Sequence, residues 1–259
     1  MPETDDLTLL IEAARAAGEI ARQYFRNDPQ IWEKPDDAGP VTEADLAVNA
    51  MLEERLQSAR VGYGWLSEES PDSEVRLALP RCFVIDPLDG TRAFIQGDGT
   101  WAHSLAVVEN GVPVAGVVYL PMHDKLYAAA KGMGATLNGE PIRVSDQDAA
   151  DGATVLASRI NFEPWHWVEA EAPAIERHFR SSLAYRMSLV AEGSFDAMLT
   201  LRPTWEWDVA AGTLIVTEAG GQATDRRGGA PRFNNRHPQL NGLVAAGPML
   251  HQDLTNRLI

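Results

Sequence analysis

The chain has 259 residues, of which 45% are hydrophobic and 23% charged, and its formal net charge is −15. That length and balance suit one large globular domain or two tightly joined halves, and so acidic a surface disfavours nucleic-acid polymers and anionic membranes as partners. No apolar run approaches membrane-spanning length, and the one cysteine, Cys82, excludes an internal disulfide or a cysteine-rich zinc site and reads as a buried structural thiol.

In chain order, apolar residues recur at helical spacing from Leu7 to Phe25 (Leu10, Ala14, Ala17, Ile20, Ala21, Tyr24), which predicts an amphipathic helix. The acidic start has no basic region followed by an apolar core, so a cytoplasmic location is expected. Residues 33–40 read as a loop. A second helix is expected from Thr42 to about Arg60, with Leu46, Asn49, Leu52 and Leu56 along one face, Thr42 as its N-cap and Asp45 in the capping-box position. Short strands are expected at 64–67 and 83–85. Asn110-Gly111 predicts a hairpin between strands at 104–108 and 112–120, and Asn138-Gly139 a second turn after a strand at 126–130. Beyond Asp151 the pattern alternates. Strands are expected at 153–157, 182–185, 197–201, 223–225 and 243–246, and helices near 172–180, 187–193, 208–219 and 251–258. This is an α+β, mixed α/β chain. Its halves, 1–148 and 149–259, meet at a soft boundary around Val144–Gly152 and share one compact body.

The chemistry concentrates at Asp86-Pro87-Leu88-Asp89-Gly90-Thr91, directly after the apolar run Cys82–Ile85. Two carboxylates at the end of a buried strand are costly unless a cation compensates them. Glu68-Glu69 lies upstream at the end of another short apolar run, and Asp208 lies downstream at an expected helix start. Taken singly, each has a plain alternative: Asp-Pro-Leu-Asp-Gly a simple turn, Glu68-Glu69 surface charge, Asp208 a helix cap, Asp45 a cap as readily as a support for a metal site. Their joint occurrence favours a hard-metal site. Magnesium takes oxygen ligands in octahedral geometry, and Asp86 and Asp89 could face a common point with the Leu88 carbonyl between them. Gly90 allows close backbone approach, Thr91–Phe94 can open a short helix, and the Thr91 hydroxyl can hold a water beside an acid such as Glu68.

At these residues the chain resembles the lithium-sensitive, Mg2+-dependent phosphatases that comprise inositol monophosphatases, 3′(2′),5′-bisphosphate nucleotidases and fructose 1,6-bisphosphatases. The motifs are Ser67-Glu68-Glu69, Asp86–Thr91 with Phe94, Trp207-Asp208-Val209-Ala210-Ala211-Gly212 and Val41-Thr42-Glu43-Ala44-Asp45, and the likeness runs over nearly the whole chain. The resemblance implies a layered α-β-α-β-α sandwich, commonly a homodimer. It implies metal ligands at Glu68, Asp86, Asp89, Asp208 and the Leu88 carbonyl for two or three Mg2+ ions, with Mn2+ as a substitute. It also implies phosphate contacts from Gly90 and Thr91, and activation of water by Thr91 with Glu68 or Asp45. The activity implied is hydrolysis of a small phosphorylated metabolite, most simply adenosine 3′,5′-bisphosphate. Inositol 1-phosphate, histidinol phosphate and sugar phosphates are the alternatives, and a non-catalytic regulator keeping the fold is the rival of a different class. Inositol phosphatases typically place a hydroxyl-binding acid where this chain has Leu201, whereas Arg202-Pro203-Thr204 resembles the nucleotidases. Arg202 could pair with a second phosphate, with Asp208 on the substrate side as well. Trp101, Trp205 and Trp207 could stack a base, although packing is the plainer assignment.

Overall fold

The computed structural model describes residues 2–35 and 39–259. Helix α1 spans Pro2–Tyr24 and helix α2 spans Glu43–Ala59. Thr42 and Asp45 form the capping box that the spacing predicts, Asp45 Oδ2 accepting from the Thr42 amide at 2.9 Å. The buried stripe of α2 is Ala44, Asp45, Val48, Asn49, Leu52 and Leu56. Leu46, expected inside, is 43% exposed, because the stripe follows 45/48/49/52/56 instead.

Both helices cover one face of a seven-stranded sheet. Its strands, in spatial and chain order, are β3 (Gly64–Ser67), β4 (Arg81–Asp89), β5 (Ala102–Glu109), β6 (Val112–Leu120), β7 (Lys125–Ala130), β8 (Ala135–Leu137) and β9 (Glu140–Pro141). β3 and β4 are parallel and the remaining pairs antiparallel. Both Asn-Gly turns form, with positive φ at Asn110, Gly111, Asn138 and Gly139 as a tight primed hairpin turn demands. A short ribbon, β1 (Ile31–Glu33) with β2 (Pro40–Thr42), precedes α2.

The second sheet has five strands in the order β11-β10-β12-β14-β13, where β10 is Thr154–Ala157, β11 Glu176–His178, β12 Ala197–Thr200, β13 Gln222–Thr224 and β14 Leu243–Ala246. Helices α4 (Leu183–Ala191) and α5 (Glu206–Glu218) fill the space between the sheets, and α6 (Pro248–Arg257) closes the outer face. The layers therefore run α-β-α-β-α. Two expectations fail between 172 and 193. The supposed helix near 172–180 is irregular chain ending in β11, which pairs in parallel with β10, and the supposed strand 182–185 is the start of α4. Ser182 explains the second miss: its Oγ accepts from Tyr185 N, so it caps a single helix rather than opening a strand. Among the described residues no helix is long and apolar enough to cross a membrane.

α5 lies very close to the central strand. A Cβ on Gly116 of β6 would stand 3.1 Å from Ala211 Cα, and one on Gly212 would stand 2.7 Å from Met187 Sδ of α4. Gly116→Val should therefore lever α5 off the sheet and lower stability by roughly 1–3 kcal/mol, as overpacking does. Urea denaturation monitored by circular dichroism checks this; an unchanged midpoint would show that the contact is slack.

Candidate metal centre

Parallel pairing of β3 with β4 brings Glu68 beside Asp86: Ser67 lies opposite Ile85, and the Glu68 amide donates to the Ile85 carbonyl at 3.2 Å. Asp208 arrives from the other half of the chain as the third residue of α5. The start of that helix is tied to the sheet by Ser104, which lies opposite Asp86 and donates from Oγ to the Trp207 carbonyl at 2.9 Å. One carboxylate oxygen each from Glu68, Asp86 and Asp208 thus falls within 4.8 Å of the others. Asp86 is buried and the other two are partly so.

The turn between β4 and the short helix α3 (Thr91–Ile95) is closed by its own side chains. Asp86 Oδ1 accepts from the Leu88 amide at 2.9 Å. Thr91 Oγ1 lies 3.2 Å from both Asp45 Oδ1 and the Leu88 carbonyl oxygen, and its one proton can be donated to either. Gly90 sits at φ +100°, a left-handed conformation for which its lack of a side chain suits it. Asp89 turns one oxygen to the start of α4, where Oδ2 accepts from Ser182 Oγ and the Ala184 amide, both at 2.7 Å.

Like charges so close and so little hydrated repel, and the carboxyl groups respond. Burial, then Glu68, Asp89 and Asp208, pushes the Asp86 carboxyl well above the usual range. Burial, then Asp89 and Glu68, does the same to Asp208. Burial raises Asp89 to about 6 against its hydrogen bonds from Ser182 and Ala184, and raises Asp45 to about 6 against those from Thr42. Glu69 is pushed to about 7, by burial and Glu68, although Lys34 opposes the shift. Lys34 Nζ bridges Glu68 Oε1 and Glu69 Oε1 at 2.6 Å each. A compact set of carboxylate oxygens with raised proton affinity is a donor set that fits a hard divalent cation.

The residues expected at the site sort clearly. Glu68, Asp86 and Asp208 converge, Asp89 stands beside them, and the Leu88 carbonyl and Thr91 share a hydrogen bond. Asp45 serves as a cap and as a support for Thr91 at once. Asp208 is not a helix cap, since Trp205 holds that position. Arg202 is exposed and feels Asp208 electrostatically. The Leu201 side chain is buried in the core beneath α6, so that position offers a substrate nothing. Trp101 is fully buried with Phe25 and Phe94 and cannot stack a ligand, whereas Trp205 stacks on Trp207 at 4.7 Å and remains 36% exposed.

Several residues escaped the sequence reading. Arg186 of α4 is buried, stacks on Phe179 at 4.4 Å, and interacts electrostatically with Asp89, Arg202 and Asp208. Splitting 182–193 into two elements hid both Arg186 and the Ser182 contact to Asp89; a serine just before an apolar helical run was the available signal. Glu206, fully buried, accepts from the amides of Asn234 and Asn235 (2.5 and 3.0 Å) and from Asn235 Nδ2 at 2.7 Å. Those asparagines also bind buried Arg76 from the segment after Glu69, at 2.6 Å to Asn234 Oδ1 and 2.9 Å to the Asn235 carbonyl. The chain segments on either side of the carboxylates are thereby fastened together.

A layered α-β-α-β-α body with converging carboxylates beside a Gly-Thr turn is the frame of a phosphoric monoester hydrolase. The chain belongs to the Inositol monophosphatase family, whose sequence profile it matches over residues 3–259. It is 32% identical to a 3′(2′),5′-bisphosphate nucleotidase, CysQ, of Salmonella typhimurium over 91% of this chain and 96% of that one. It is 33% identical to a histidinol-phosphatase of Mycobacterium tuberculosis over 98% of both, and 33% identical to an inositol-1-monophosphatase of Rhizobium meliloti over 86% of both. A solved IMPase of Thermotoga maritima superposes with a TM-score of 0.83 at 27% identity, covering 97% of this chain and 96% of that one.

Each raised carboxyl binds its proton more tightly folded than unfolded, so its contribution to stability is full at low pH and is lost as pH rises through the folded value. With Asp45 and Asp89 at about 6 and Glu69 at about 7, protein stripped with EDTA should melt at lower temperature at pH 8 than at pH 5.5. Added Mg2+ should flatten that slope. Scanning fluorimetry across pH checks both, and a melting temperature that rises with pH in EDTA would contradict the assignment.

Proposed function

We propose that the protein is a Mg2+-dependent 3′(2′),5′-bisphosphate nucleotidase, converting adenosine 3′,5′-bisphosphate to AMP. The observation that carries this choice within the family is the pair of guanidinium groups, buried Arg186 and exposed Arg202, both interacting electrostatically with Asp208. In this reading exposed Arg202 would meet a second phosphate on a substrate whose first phosphate lies at the carboxylate cluster, with buried Arg186 adding positive charge behind it. The buried Leu201, which provides no acceptor for a ring of hydroxyls, supports the same choice.

In this reading Glu68, Asp86, Asp89, Asp208 and the Leu88 carbonyl hold two or three Mg2+ ions, with Mn2+ as a substitute. When bound, the ions acidify a water and neutralise the charge of the transferring phosphoryl group. The chain does the rest. Gly90 brings the backbone against the phosphate. Thr91 Oγ1, with its proton directed at Asp45 Oδ1 or the Leu88 carbonyl, keeps lone pairs free to accept a hydrogen bond from the attacking water. Glu68 takes the proton that leaves, and Asp45 anchors Thr91. Lys34, already on Glu68 and Glu69, offsets part of the negative charge at the entrance. The reading carries with it a cytoplasmic homodimer whose halves, 1–148 and 149–259, both contribute to the site.

A phosphate-release panel with Mg2+ tests the assignment, using adenosine 3′,5′-bisphosphate, inositol 1-phosphate, fructose 1,6-bisphosphate and histidinol phosphate. The nucleotide should have the highest kcat/KM, and preference for histidinol phosphate would instead align the chain with its mycobacterial relative. Asp89→Asn should cut kcat by about 100-fold, about 2.7 kcal/mol of lost metal-ion stabilisation. Activity that survives chelation would sink the metal mechanism. Arg202→Ala should raise KM for the bisphosphate about tenfold, the loss of one charge-assisted hydrogen bond, while a monophosphate substrate is little affected. Equal losses on both would remove the second-phosphate role.

A further inference from the structure

The turn of acids at the end of β4 is also a fault in the sheet. Asp86 lies opposite Ser104 and Asp89 opposite Ala102, so three steps along β4 answer two along β5. Such a bulge leaves backbone groups without ladder partners, and Pro87, which has no N–H, cannot compensate. The residue of β5 facing the gap is His103. It is fully buried, and its Nδ1 is hydrogen-bonded to the Pro87 carbonyl oxygen. Because a carbonyl only accepts, Nδ1 carries the proton. The imidazole is hemmed in by Trp101, edge-on at 5.5 Å, and Tyr119 at 6.4 Å, and Nε2 has no partner among the described residues. The bond to Pro87 is therefore the one polar contact that the structure gives this side chain.

We propose that His103 is a positioning residue for the proposed metal ligands. By donating to the carbonyl that the bulge frees, it fixes the Pro87–Leu88 peptide, and with it the direction of the Leu88 carbonyl and the Asp89 carboxylate. The inference rests on the metal-centre reading above, but concerns a side chain on the opposite face of the sheet from α5. His103 touches neither substrate nor ion. A buried histidine on an apolar face usually serves packing, yet packing alone does not call for a donor aimed at the only proline carbonyl inside the acidic turn.

The test measures Mg2+ binding by isothermal titration calorimetry and by the Mg2+-induced rise in Tm, alongside kcat and KM. His103→Leu fills the space without the donor, and His103→Gln presents its amide nearer the place of Nε2. His103→Asn retains an N–H close to that of Nδ1. Val107→Ala, buried on the same face of β5, controls for loosening of the core. Loss of a ligand-orienting hydrogen bond typically weakens metal binding by about 10–100-fold, and that loss is expected in the Leu and Gln variants, with kcat falling more than KM changes at saturating Mg2+. The Asn variant should stay near the parent. Val107→Ala should lower Tm and leave Mg2+ affinity unchanged. Parental Mg2+ binding in both the Leu and Gln variants, an Asn variant as damaged as they are, or an equal loss in Val107→Ala would each overturn the positioning role. Asp89→Asn separates this from failure of the underlying reading. If that variant binds Mg2+ as the parent does, the metal assignment fails; if it does not bind while His103→Leu does, only the role of His103 fails.

Discussion

Repulsion among converging, poorly hydrated carboxylates organises this molecule. Glu68, Asp86, Asp89 and Asp208 come from three separate elements, and each would be better hydrated apart. They stay together because backbone pairing between β3 and β4, the hydrogen bond from Ser104 to the Trp207 carbonyl, and the close seat of α5 on Gly116 leave them nowhere else to go. The fold thus stores an electrostatic tension at one point and relieves it by raising proton affinity, or by accepting cations where protons would otherwise sit. Neither half of the chain could do this alone, since the sheet supplies Glu68, Asp86 and Asp89 while α5 supplies Asp208.

Around that point the supporting contacts differ in kind. Asp89 is steadied by a helix start, through Ser182 and the Ala184 amide, where the local dipole favours negative charge. Asp45 is steadied by its own capping box and transmits that order to Thr91. On the outer side, Glu206 and Arg76 are buried charges that meet through two asparagines rather than directly, so both have their hydrogen-bonding groups occupied. Such fully partnered networks favour a single arrangement of the chain.

Much of this was legible from the residues in order. The two Asn-Gly turns, the Thr42–Asp45 box and the apolar strand running into Asp-Pro-Leu-Asp-Gly-Thr each follow local rules that tertiary context did not override. The spatial meeting of Glu68 with Asp86 was readable because acids at the ends of apolar runs imply neighbouring strand ends. What could not be read is equally physical. Parallel pairing of β11 with β10 depends on a partner more than twenty residues away, and nothing local in Glu176–His178 separates an edge strand from a helix. Once 182–185 is assigned as extended, Arg186 no longer falls on the turn of helix that faces Asp89. Leu46 shows the same limit on a smaller scale, where one apolar residue beside a stripe is indistinguishable from one within it.

The tight seat of α5 also bears on descent. With Gly116 under Ala211 and Gly212 against Met187, the helix carrying Asp208 has little room to shift, so the converging acids resist drift. Arg202, a few residues earlier and exposed, is under no such restraint. Substitutions can therefore accumulate at the rim while the acids behind it stay in register.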